Sequence, residues 1–272
     1  MRSPLPRRLG WYLLFGTGAA LMLFPFLWSV ASSFEPAGSV LDKPRLIPRH
    51  PSLDGYRTFL SALPFWRLLA NSMGLALCST VLQLVTSSMA AYAFARLEFP
   101  GRRVIFGIYL ATMMMPLQVL VVPLFVEMKQ FDLVDTYAAV LAPTIASAFG
   151  VFLLRQAIVA VPRELDEAAV MDGAGHLRIF ATVILPLIRP ALATFAVFAF
   201  MASWNSFLWP LVIIRSPEFM TLPLGLSNLH GQYTTEWNVV MAGTVLSVLP
   251  IILLYLAAQK YVVQSTALTG LK

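Results

Sequence analysis

One polar segment of this otherwise apolar chain has residue types and spacings that suit docking to another protein. Glu167-Ala168-Ala169 is followed by Gly173 and then by the run Val183-Ile184-Leu185-Pro186. An acidic residue beside two small alanines offers a charge and a low surface that a partner can approach closely. Because long apolar runs flank the segment, we expect it at a membrane surface. The alternative is an ordinary interfacial helix pair that only connects two spans.

No pattern of side chains in the sequence predicts catalysis. The phosphate-binding pattern G-x-x-x-x-G-K-[ST] is absent, so the chain is not expected to bind ATP. His50, His176 and His230 are too scattered to predict a metal site or a nucleophile–base pair. We therefore expect a protein that is not an enzyme and has no cofactor or metal of its own.

The composition is typical of a protein that lies in a lipid bilayer. Of its 272 residues, 58% are hydrophobic and 12% are charged, and the mean hydropathy is +0.77. Soluble domains average about 25% charged residues. Six stretches lack Asp, Glu, Lys and Arg, and each is long enough to cross the hydrocarbon core as a helix. We predict an all-α membrane protein, with one domain over residues 1–272 and six transmembrane helices at about 10–34, 69–95, 104–127, 137–160, 190–214 and 238–260.

The basic residues predict how these spans are oriented. Loops on the side of the N-terminus carry twelve Lys and Arg, and the other loops carry seven. The positive-inside rule then puts both termini in the cytoplasm, although the basic loop at 35–67 favours the opposite orientation. This bias also accounts for the net charge of +6 without nucleic acid, because the basic residues avoid the aromatic-interleaved clusters of nucleic-acid-binding proteins.

The predicted cytoplasmic segment at 162–189 reads as two short helices. Pro162 suits the first turn of a helix, and the acidic residues after it suit the positive end of the helix dipole. Gly173 suits the C-terminal stop, which gives a helix of about three turns. A second, amphipathic helix follows. Its predicted apolar stripe consists of Leu177, Phe180, Ala181, Ile184, Leu185 and Ile188.

This segment resembles the signature of the inner-membrane permeases of binding-protein-dependent ABC importers. The signature is Glu-Ala-Ala, three residues, Gly, nine residues, and then Ile-x-Leu-Pro. The sequence matches it from Glu167 to Pro186, except that Val183 replaces Ile. Other stretches are similar to the carbohydrate-uptake, maltose-permease-like branch, among them Asn71-Ser72, Ala91-Tyr92-Ala93-Phe94-Ala95-Arg96, Met171-Asp172-Gly173-Ala174 and Trp204-Asn205.

The resemblance implies a coupling helix between the fourth and fifth spans, seated in a groove of a cytoplasmic ATPase subunit. In this role Glu167 would pair with a basic group of the ATPase. The implied partners are a second permease, an ABC ATPase dimer that holds ATP and Mg, an extracytoplasmic solute-binding protein, a sugar and the lipid of a prokaryotic cytoplasmic membrane. The implied coupling residues are Glu167, Ala168, Ala169, Asp172, Gly173, Leu185 and Pro186.

A neutral, hydroxyl-rich substrate suits a path lined by amides, hydroxyls and aromatic faces. The candidate residues for this path are Asn71, Gln118, Trp204, Asn205 and Trp209. We expect Asn205 to contribute most, because it lies within the predicted fifth span. The alternative for the amide side chains is a helix–helix hydrogen bond, which is common for Asn and Gln inside membranes.

The resemblance also implies that the last outer loop, at 215–237, contacts the binding protein. The candidate contact residues in it are Tyr233, Thr235, Glu236 and Trp237. The alternative is an interfacial aromatic belt that leads into the sixth span.

Two other functions stay open on the sequence. The chain is also similar to glycerol-3-phosphate or glycerophosphodiester permeases, including Phe65-Trp66-Arg67 and Thr234-Thr235-Glu236-Trp237. A phosphate cargo favours a basic site, which the apolar stretches lack, although a partner permease could supply one. A stand-alone channel or secondary transporter is disfavoured, because the same stretches lack the ionisable residues that ion-driven transporters usually carry.

Overall fold

A computed structural model of the chain describes residues 5–38, 40, 46–232 and 236–269. Within these ranges the regular structure is helical, as predicted, and contains no β-strand. The helices are α1 (Leu5–Ser33), α2 (Asp54–Ala62), α3 (Phe65–Arg96), α4 (Arg102–Ala111), α5 (Leu117–Gln130), α6 (Tyr137–Leu141), α7 (Ala148–Val159), α8 (Glu164–Met171), α9 (His176–Ile179), α10 (Leu185–Leu187), α11 (Arg189–Trp204), α12 (Leu208–Ile213), α13 (Leu222–Gln232) and α14 (Trp237–Thr269). A π-helix spans Phe180–Ile184, and 3₁₀ turns span Thr112–Met114, Ala142–Thr144 and Pro217–Phe219.

Three helical segments of the described chain are long and apolar enough to cross a membrane without interruption. They are Gly10–Ser33, Phe65–Arg96 and Trp237–Leu256. Three bent helix pairs pass the same test, so the described residues hold three candidate spans, or up to six if each pair is one span. The six spans stay a prediction. The pairs are Arg102–Met114 with Leu117–Gln130, bent by 102°, Tyr137–Thr144 with Ala148–Val159, bent by 45°, and His176–Leu187 with Arg189–Trp204, bent by 82°.

The predicted third and fourth spans, 104–127 and 137–160, are each interrupted by backbone that leaves the helical conformation. In the third, Met115 and Pro116 are extended, with ψ of 114° and 140°. A proline disfavours helical backbone at the residue before it, which explains this break. In the fourth, a 3₁₀ turn ends α6, and the side chain of Ser147 then accepts a hydrogen bond from the backbone N–H of Gly150 to start α7.

The predicted fifth span, 190–214, is also discontinuous. Helix α11 ends at Trp204, and α12 begins at Leu208 after a three-residue break. Phe207 before α12 has φ −122° and ψ −52°, and Pro210 lies within the first turn of α12, where a missing N–H is tolerated. Asn205 therefore lies in the break between α11 and α12 and not inside one continuous helix, and its position within a membrane span stays a prediction.

The chain divides into two compact units, residues 1–66 with 225–250, and residues 67–224 with 251–272. In the first unit, α2 lies directly against α14. A Cβ atom added to Gly55 would be 2.9 Å from the carbonyl oxygen of Asn238, and one added to Gly243 would be 2.6 Å from the ring of Phe59. Glycine at both contacts allows the backbones to approach. The single domain over 1–272 stays a prediction.

The second unit contains two clusters of buried apolar residues. The first, which we call the α7–α11 cluster, consists of Ala91, Tyr92, Ala95, Val151, Leu154, Ile158, Ile179, Ile184, Ile188, Phe195 and Ala199. The other, the α6–α12 cluster, consists of Leu75, Met128, Ala139, Val140, Trp209, Ile213, Ile214 and Leu224. In the α7–α11 cluster the helices touch at Gly150, where an added Cβ would be 2.1 Å from the Phe195 ring.

Candidate functional site

Helix α8, which carries the Glu-Ala-Ala sequence, is an eight-residue helix that ends in a Schellman turn. The backbone N–H of Gly173 donates to the carbonyl of Val170, and the N–H of Ala174 donates to the carbonyl of Ala169, both at 2.9 Å. Gly173 has φ +78°, a left-handed conformation that favours glycine. The predicted stop at Gly173 is confirmed, although the helix has about two turns and not three.

A buried ion pair fixes one side of α8. Arg96 Nε, at the end of α3, lies 2.6 Å from Asp166 Oδ2, and the two side chains are only 6% and 17% exposed. Arg96 Nη2 also donates to the carbonyl of Val161 at 2.7 Å. Attraction between opposite charges at short range holds the pair, because Arg96 Nε has no aligned hydrogen-bond partner among the described residues. The second carboxylate oxygen, Asp166 Oδ1, has no such partner there either. Sequence reasoning missed this pair, although Arg96 belongs to a stretch that resembles the family.

The other side of α8 and its turn is exposed and mixes acidic with apolar side chains. Glu167, Ala168 and Asp172 are exposed. Met171 is 87% exposed and Leu177, after the turn, is 77% exposed. Exposed large apolar side chains outside the apolar spans mark a surface that suits contact with another protein.

Ala169 does not belong to this exposed surface. Its side chain is half-buried and packs against the α7–α11 cluster, whereas Ala168 is exposed, and a partner contact for both alanines stays a prediction. The carbonyl of Ala169 is also used internally, in the Schellman turn. Leu185 packs against the same cluster, and Pro186 is half-buried.

The segment after Gly175 presents only part of the predicted apolar stripe, since Phe180 and Leu185 pack against the α7–α11 cluster to which Ile184 and Ile188 belong. The buried residues are Ile179, Ile184 and Ile188, whereas Leu177 and Ala181 are exposed. The π-helix at 180–184 explains the difference, because its i→i+5 hydrogen bonds shift the positions that share a face. A five-residue step between the first two isoleucines fits this turn, and a period of 3.6 residues does not.

Two predicted path residues make structural hydrogen bonds. Asn71 Nδ2 donates to the carbonyls of Glu218 and Met220 at 2.8 and 2.9 Å, and its Oδ1 accepts from the Tyr137 hydroxyl at 2.7 Å. Trp209 is buried, and its Nε1 donates to the carbonyl of Ala139 at 3.0 Å. The alternative of internal hydrogen bonding, open for Asn71 on the sequence, is therefore what the structure has.

The other three predicted path residues have varied surroundings. Gln118 and Asn205 are exposed. Trp204 is 2% exposed and stacks on Phe200, with ring centroids 5.7 Å apart. Their use by a substrate stays a prediction.

A cavity of about 200 Å³ lies beside these residues in the second unit. None of the five predicted path residues lines it, but each is adjacent in sequence to a residue that does. On α3 its polar lining consists of Ser72, Ser79 and Gln83. The other polar groups come from Thr144, Ser203, Ser206 and Thr221.

An acidic clamp joins two loops outside the predicted spans. Asp135 Oδ1 accepts from the backbone N–H groups of Arg215 and Ser216 at 2.8 and 2.9 Å, and its Oδ2 accepts from the Ser216 hydroxyl. These hydrogen bonds, chiefly the one from the Ser216 side chain, hold the pKa of the Asp135 carboxyl below its usual value. Asp135 has φ 64°, which an Asp tolerates better than most residues.

The predicted binding-protein contacts are only partly described. Tyr233 and Thr235 lie outside the described residues. Glu236 is half-buried, its carbonyl accepts from the N–H of Val239 at 3.0 Å, and the exposed Trp237 begins α14. Their contact with a binding protein stays a prediction.

Comparison with known proteins identifies the family. The family model described as "Binding-protein-dependent transport system inner membrane component" matches residues 83–267, which include α8, its glycine turn and the π-helix. The chain belongs to this family. As a member of the binding-protein-dependent transport system inner membrane components, it is a multi-pass protein of the inner membrane.

Two relatives within this family have curated names. The arabinooligosaccharides transport system permease protein AraQ of Halalkalibacterium halodurans is 36% identical over 270 residues, which cover 97% of each chain. The lactose transport system permease protein LacG of Rhizobium radiobacter is 34% identical over 253 residues, 93% of this chain and 92% of the relative.

The name of a third relative refers to the transport of a phosphate ester and not of a sugar. The sn-glycerol-3-phosphate transport system permease protein UgpE of Salmonella typhimurium is 33% identical over 252 residues, 89% of this chain and 90% of the relative. Among solved structures, a chain of a bacterial ABC transporter involved in the import of the acidic polysaccharide alginate has a TM-score of 0.84 and 27% identity. The match covers 96% of this chain and 99% of that one.

Proposed function

We propose that this chain is one of two permease subunits of an ATP-driven importer that moves a sugar across the cytoplasmic membrane. The cargo is a mono-, di- or oligosaccharide, delivered by an extracytoplasmic binding protein. Membership of the family and the names of the AraQ and LacG relatives support this proposal. Binding and hydrolysis of ATP, with Mg, belong to separate ATPase subunits, in keeping with the absence of a phosphate-binding loop from the sequence.

Within the importer, α8 docks into the ATPase as a coupling helix. The observation that carries this assignment is the two-sided character of α8. One side is tied to α3 by the buried Arg96–Asp166 pair, and the other exposes Glu167 and Met171. A helix that is fixed to the membrane helices on one side and free on the other can pass a displacement of its partner to the spans.

Glu167 supplies the polar part of the docking contact. Its carboxylate is exposed in the free chain and would pair with a basic group of the ATPase. Such a pair gains strength as the interface excludes water, because charge-assisted hydrogen bonds are stronger in less polar surroundings. Met171 and Leu177 supply apolar area around it.

The remaining coupling residues shape the segment. Ala168 and Asp172 lie on the exposed side of α8, and Gly173 makes the turn that ends it. Leu185 and Pro186 lie just before the 82° bend into α11. In the proposed mechanism this bend is where motion of the docked segment reaches the fifth span.

The proposed topology has six spans and both termini in the cytoplasm. It puts α8 on the same side as the ATPase, and the loop at 215–237 on the side of the binding protein. Glu236 and Trp237 are the described candidates for that outer contact. The excess of Lys and Arg on the N-terminal side supports this orientation.

A sugar is favoured over glycerol 3-phosphate by the lining of the cavity. Its hydroxyl, amide and apolar groups include no Lys, Arg or His to bind a phosphate. Arg and Lys are the side chains that usually bind phosphate in proteins, and neither type lines the cavity. The resemblance to UgpE therefore supports the importer class more than the phosphate cargo.

Affinity purification of the tagged chain in mild detergent, with mass spectrometry of the proteins that co-purify, tests the proposal. We expect an ATPase and a second six-span permease. The recovered complex, reconstituted in liposomes with its binding protein, should then take up a labelled sugar only when ATP is present. Recovery of this chain alone, with transport that needs no ATP, would instead indicate a secondary transporter.

A further inference from the structure

We propose that the 200 Å³ cavity is a binding subsite for one uncharged sugar ring of the cargo. This inference rests on the proposed function, and assigns the contact to residues other than those that the sequence suggested. The cavity lies wholly within the second unit, so this subunit itself would hold part of the cargo.

The cavity lies where helices are broken. Leu117 starts α5 after the Pro116 break, Thr144 ends the 3₁₀ turn before α7, and Ser203 and Ser206 flank the end of α11. Broken backbone at membrane depth is tolerated only where protein buries it or where it lines a water-filled cavity. Residues at all three breaks line the same cavity, as expected if the broken backbone surrounds a water-filled site.

One face of α3 supplies a stripe of polar groups to the cavity. Ser72, Ser79 and Gln83 lie seven and four residues apart, spacings that return to the same side of a helix. All three are buried. Polar side chains on one side of an intramembrane helix are costly unless another helix, water or a ligand satisfies them.

Hydrogen bonds arrange part of this stripe into a directed chain. Gln83 Nε2 donates to Ser79 Oγ at 2.9 Å, Ser79 Oγ donates to Thr144 Oγ1 at 3.1 Å, and Thr144 Oγ1 donates to the carbonyl of Leu141 at 2.8 Å. The donors of both hydroxyls are thus used within the protein. Their second lone pairs can accept from a ligand, which suits the hydroxyl groups of a sugar.

The hydroxyl of Thr221 gives the strongest evidence for a ligand in the cavity. Its side chain lines the cavity and is 5% exposed, and its Oγ1 has no hydrogen-bond partner among the described residues. A buried hydroxyl without a partner costs free energy in the unliganded protein. A hydroxyl of the bound ring would supply the missing partner.

The rest of the lining suits the faces of a sugar ring. Leu75, Leu117, Val140 and Pro210 present apolar surface, and the polar groups include no charge. A pyranose or furanose has C–H groups on its faces and hydroxyls at its edge, so it matches a mixed and neutral site. The volume of about 200 Å³ is many times the ~10–15 Å³ that a single water needs, so the cavity admits a group larger than water.

Two substitutions in the reconstituted complex test the subsite. Thr221→Val removes the unpartnered hydroxyl at nearly constant shape, and Ser203→Leu fills part of the cavity. The matched control is Thr80→Val on α3, where Thr80 is 8% exposed, does not line the cavity, and donates to the carbonyl of Ala76. The measurements are ATP-dependent uptake of labelled lactose and of a labelled arabino-oligosaccharide, and the thermal unfolding midpoint of each complex.

We expect Thr221→Val to lower the uptake rate of the transported probe about two- to tenfold, the factor that one ordinary hydrogen bond corresponds to. Its unfolding midpoint should not fall, because the variant removes an unpartnered polar group. Ser203→Leu should lower uptake at least as much, and Thr80→Val should leave it at the wild-type rate. Wild-type uptake by both Thr221→Val and Ser203→Leu would overturn the subsite while leaving the importer proposal intact. Uptake of a probe by the wild-type complex without ATP would overturn the importer proposal, and the subsite that rests on it.

Discussion

Arg96 at the end of α3 and Asp166 in α8 form a buried ion pair, with Nε and Oδ2 2.6 Å apart. The pair joins the helix that lines one side of the cavity to the helix that carries the Glu-Ala-Ala sequence. A displacement of α8 therefore acts on α3 through a short, charged contact. Removing one partner leaves the other charge buried, and this makes the contact sensitive to substitution.

Breaking this pair should destabilise the protein and weaken coupling. Arg96→Gln or Asp166→Asn is expected to lower the free energy of unfolding by about 3 kcal/mol, and the double variant should lose less than the sum of the two. Thermal unfolding in detergent measures the first effect, and the ratio of sugar taken up to ATP hydrolysed measures the second. Arg57→Gln is the control, because its ion pair with Asp54 is 78% and 64% exposed and contributes about 0–1 kcal/mol. Additive losses at Arg96 and Asp166 would show that the two side chains act independently.

Glu167→Ala should uncouple ATP hydrolysis from transport without loss of membrane insertion. The exposed carboxylate makes no ion pair with another described residue, so its removal should leave the fold unchanged and affect only the proposed ATPase contact. The measurement is ATP-dependent uptake alongside ATPase rate in reconstituted complexes. Glu164→Ala, an exposed acid in the same first turn, is the matched control. Normal uptake in the Glu167 variant would refute its coupling role.

Gly173→Ala should strain the turn that ends α8. An L-residue with a side chain at φ +78° costs about 1–2 kcal/mol, so the turn should loosen and coupled uptake should fall. Gly175→Ala is the control, since Gly175 has φ −77° and open space around its Cα. The measurements are sugar uptake and the thermal unfolding midpoint of both variants. Equal uptake and equal midpoints for Gly173→Ala and Gly175→Ala would argue against a need for left-handed backbone at residue 173.

The Asp135 clamp should make stability depend on acidity. The pKa of the Asp135 carboxyl is lowered in the folded state. Its hydrogen bonds therefore contribute fully to the free energy of unfolding above the unfolded pKa of about 3.9. This contribution is lost as pH falls through the folded pKa. Asp135→Asn should therefore be less stable than wild type at pH 6, and the difference should narrow below about pH 4. Asp132→Asn is the control, because exposed Asp132 has a similar φ of 53°. The measurement is the unfolding midpoint of wild type and of each variant across pH. A difference between Asp135→Asn and wild type that stayed constant as pH fell would contradict the role of the Asp135 hydrogen bonds.

The contact between α7 and α11 should not tolerate a methyl group. Gly150→Ala would place its Cβ 2.1 Å from the Phe195 ring and is expected to cost about 1–3 kcal/mol. Phe195→Leu in the same chain should recover part of that loss. Gly74→Ala in α3, where no atom lies within 4 Å of the added Cβ, should be neutral or stabilising. Thermal unfolding of the single and double variants measures this, and a stable Gly150 variant would mean that the helices can move apart.

Local chemistry in the sequence was enough to predict the helical fold and the glycine turn after α8. Each depends on a property of a few consecutive residues: apolar length, or backbone that favours glycine. The exposed Glu167 also follows from its place in a polar insert. These features need no knowledge of which distant residues meet.

Tertiary structure decided which side chains face the cavity and which fix α8. Each predicted path residue is adjacent to a lining residue, as Asn71 is to Ser72 and Asn205 is to Ser206. The predicted path residues thus lie next to the cavity lining and not in it, because one step along a helix turns a side chain by about 100°. Their use by a substrate stays a prediction. The π-helix shifted the apolar face after Gly175 in the same way. The sequence did not predict the Arg96–Asp166 pair, because contacts between distant segments depend on how whole helices pack.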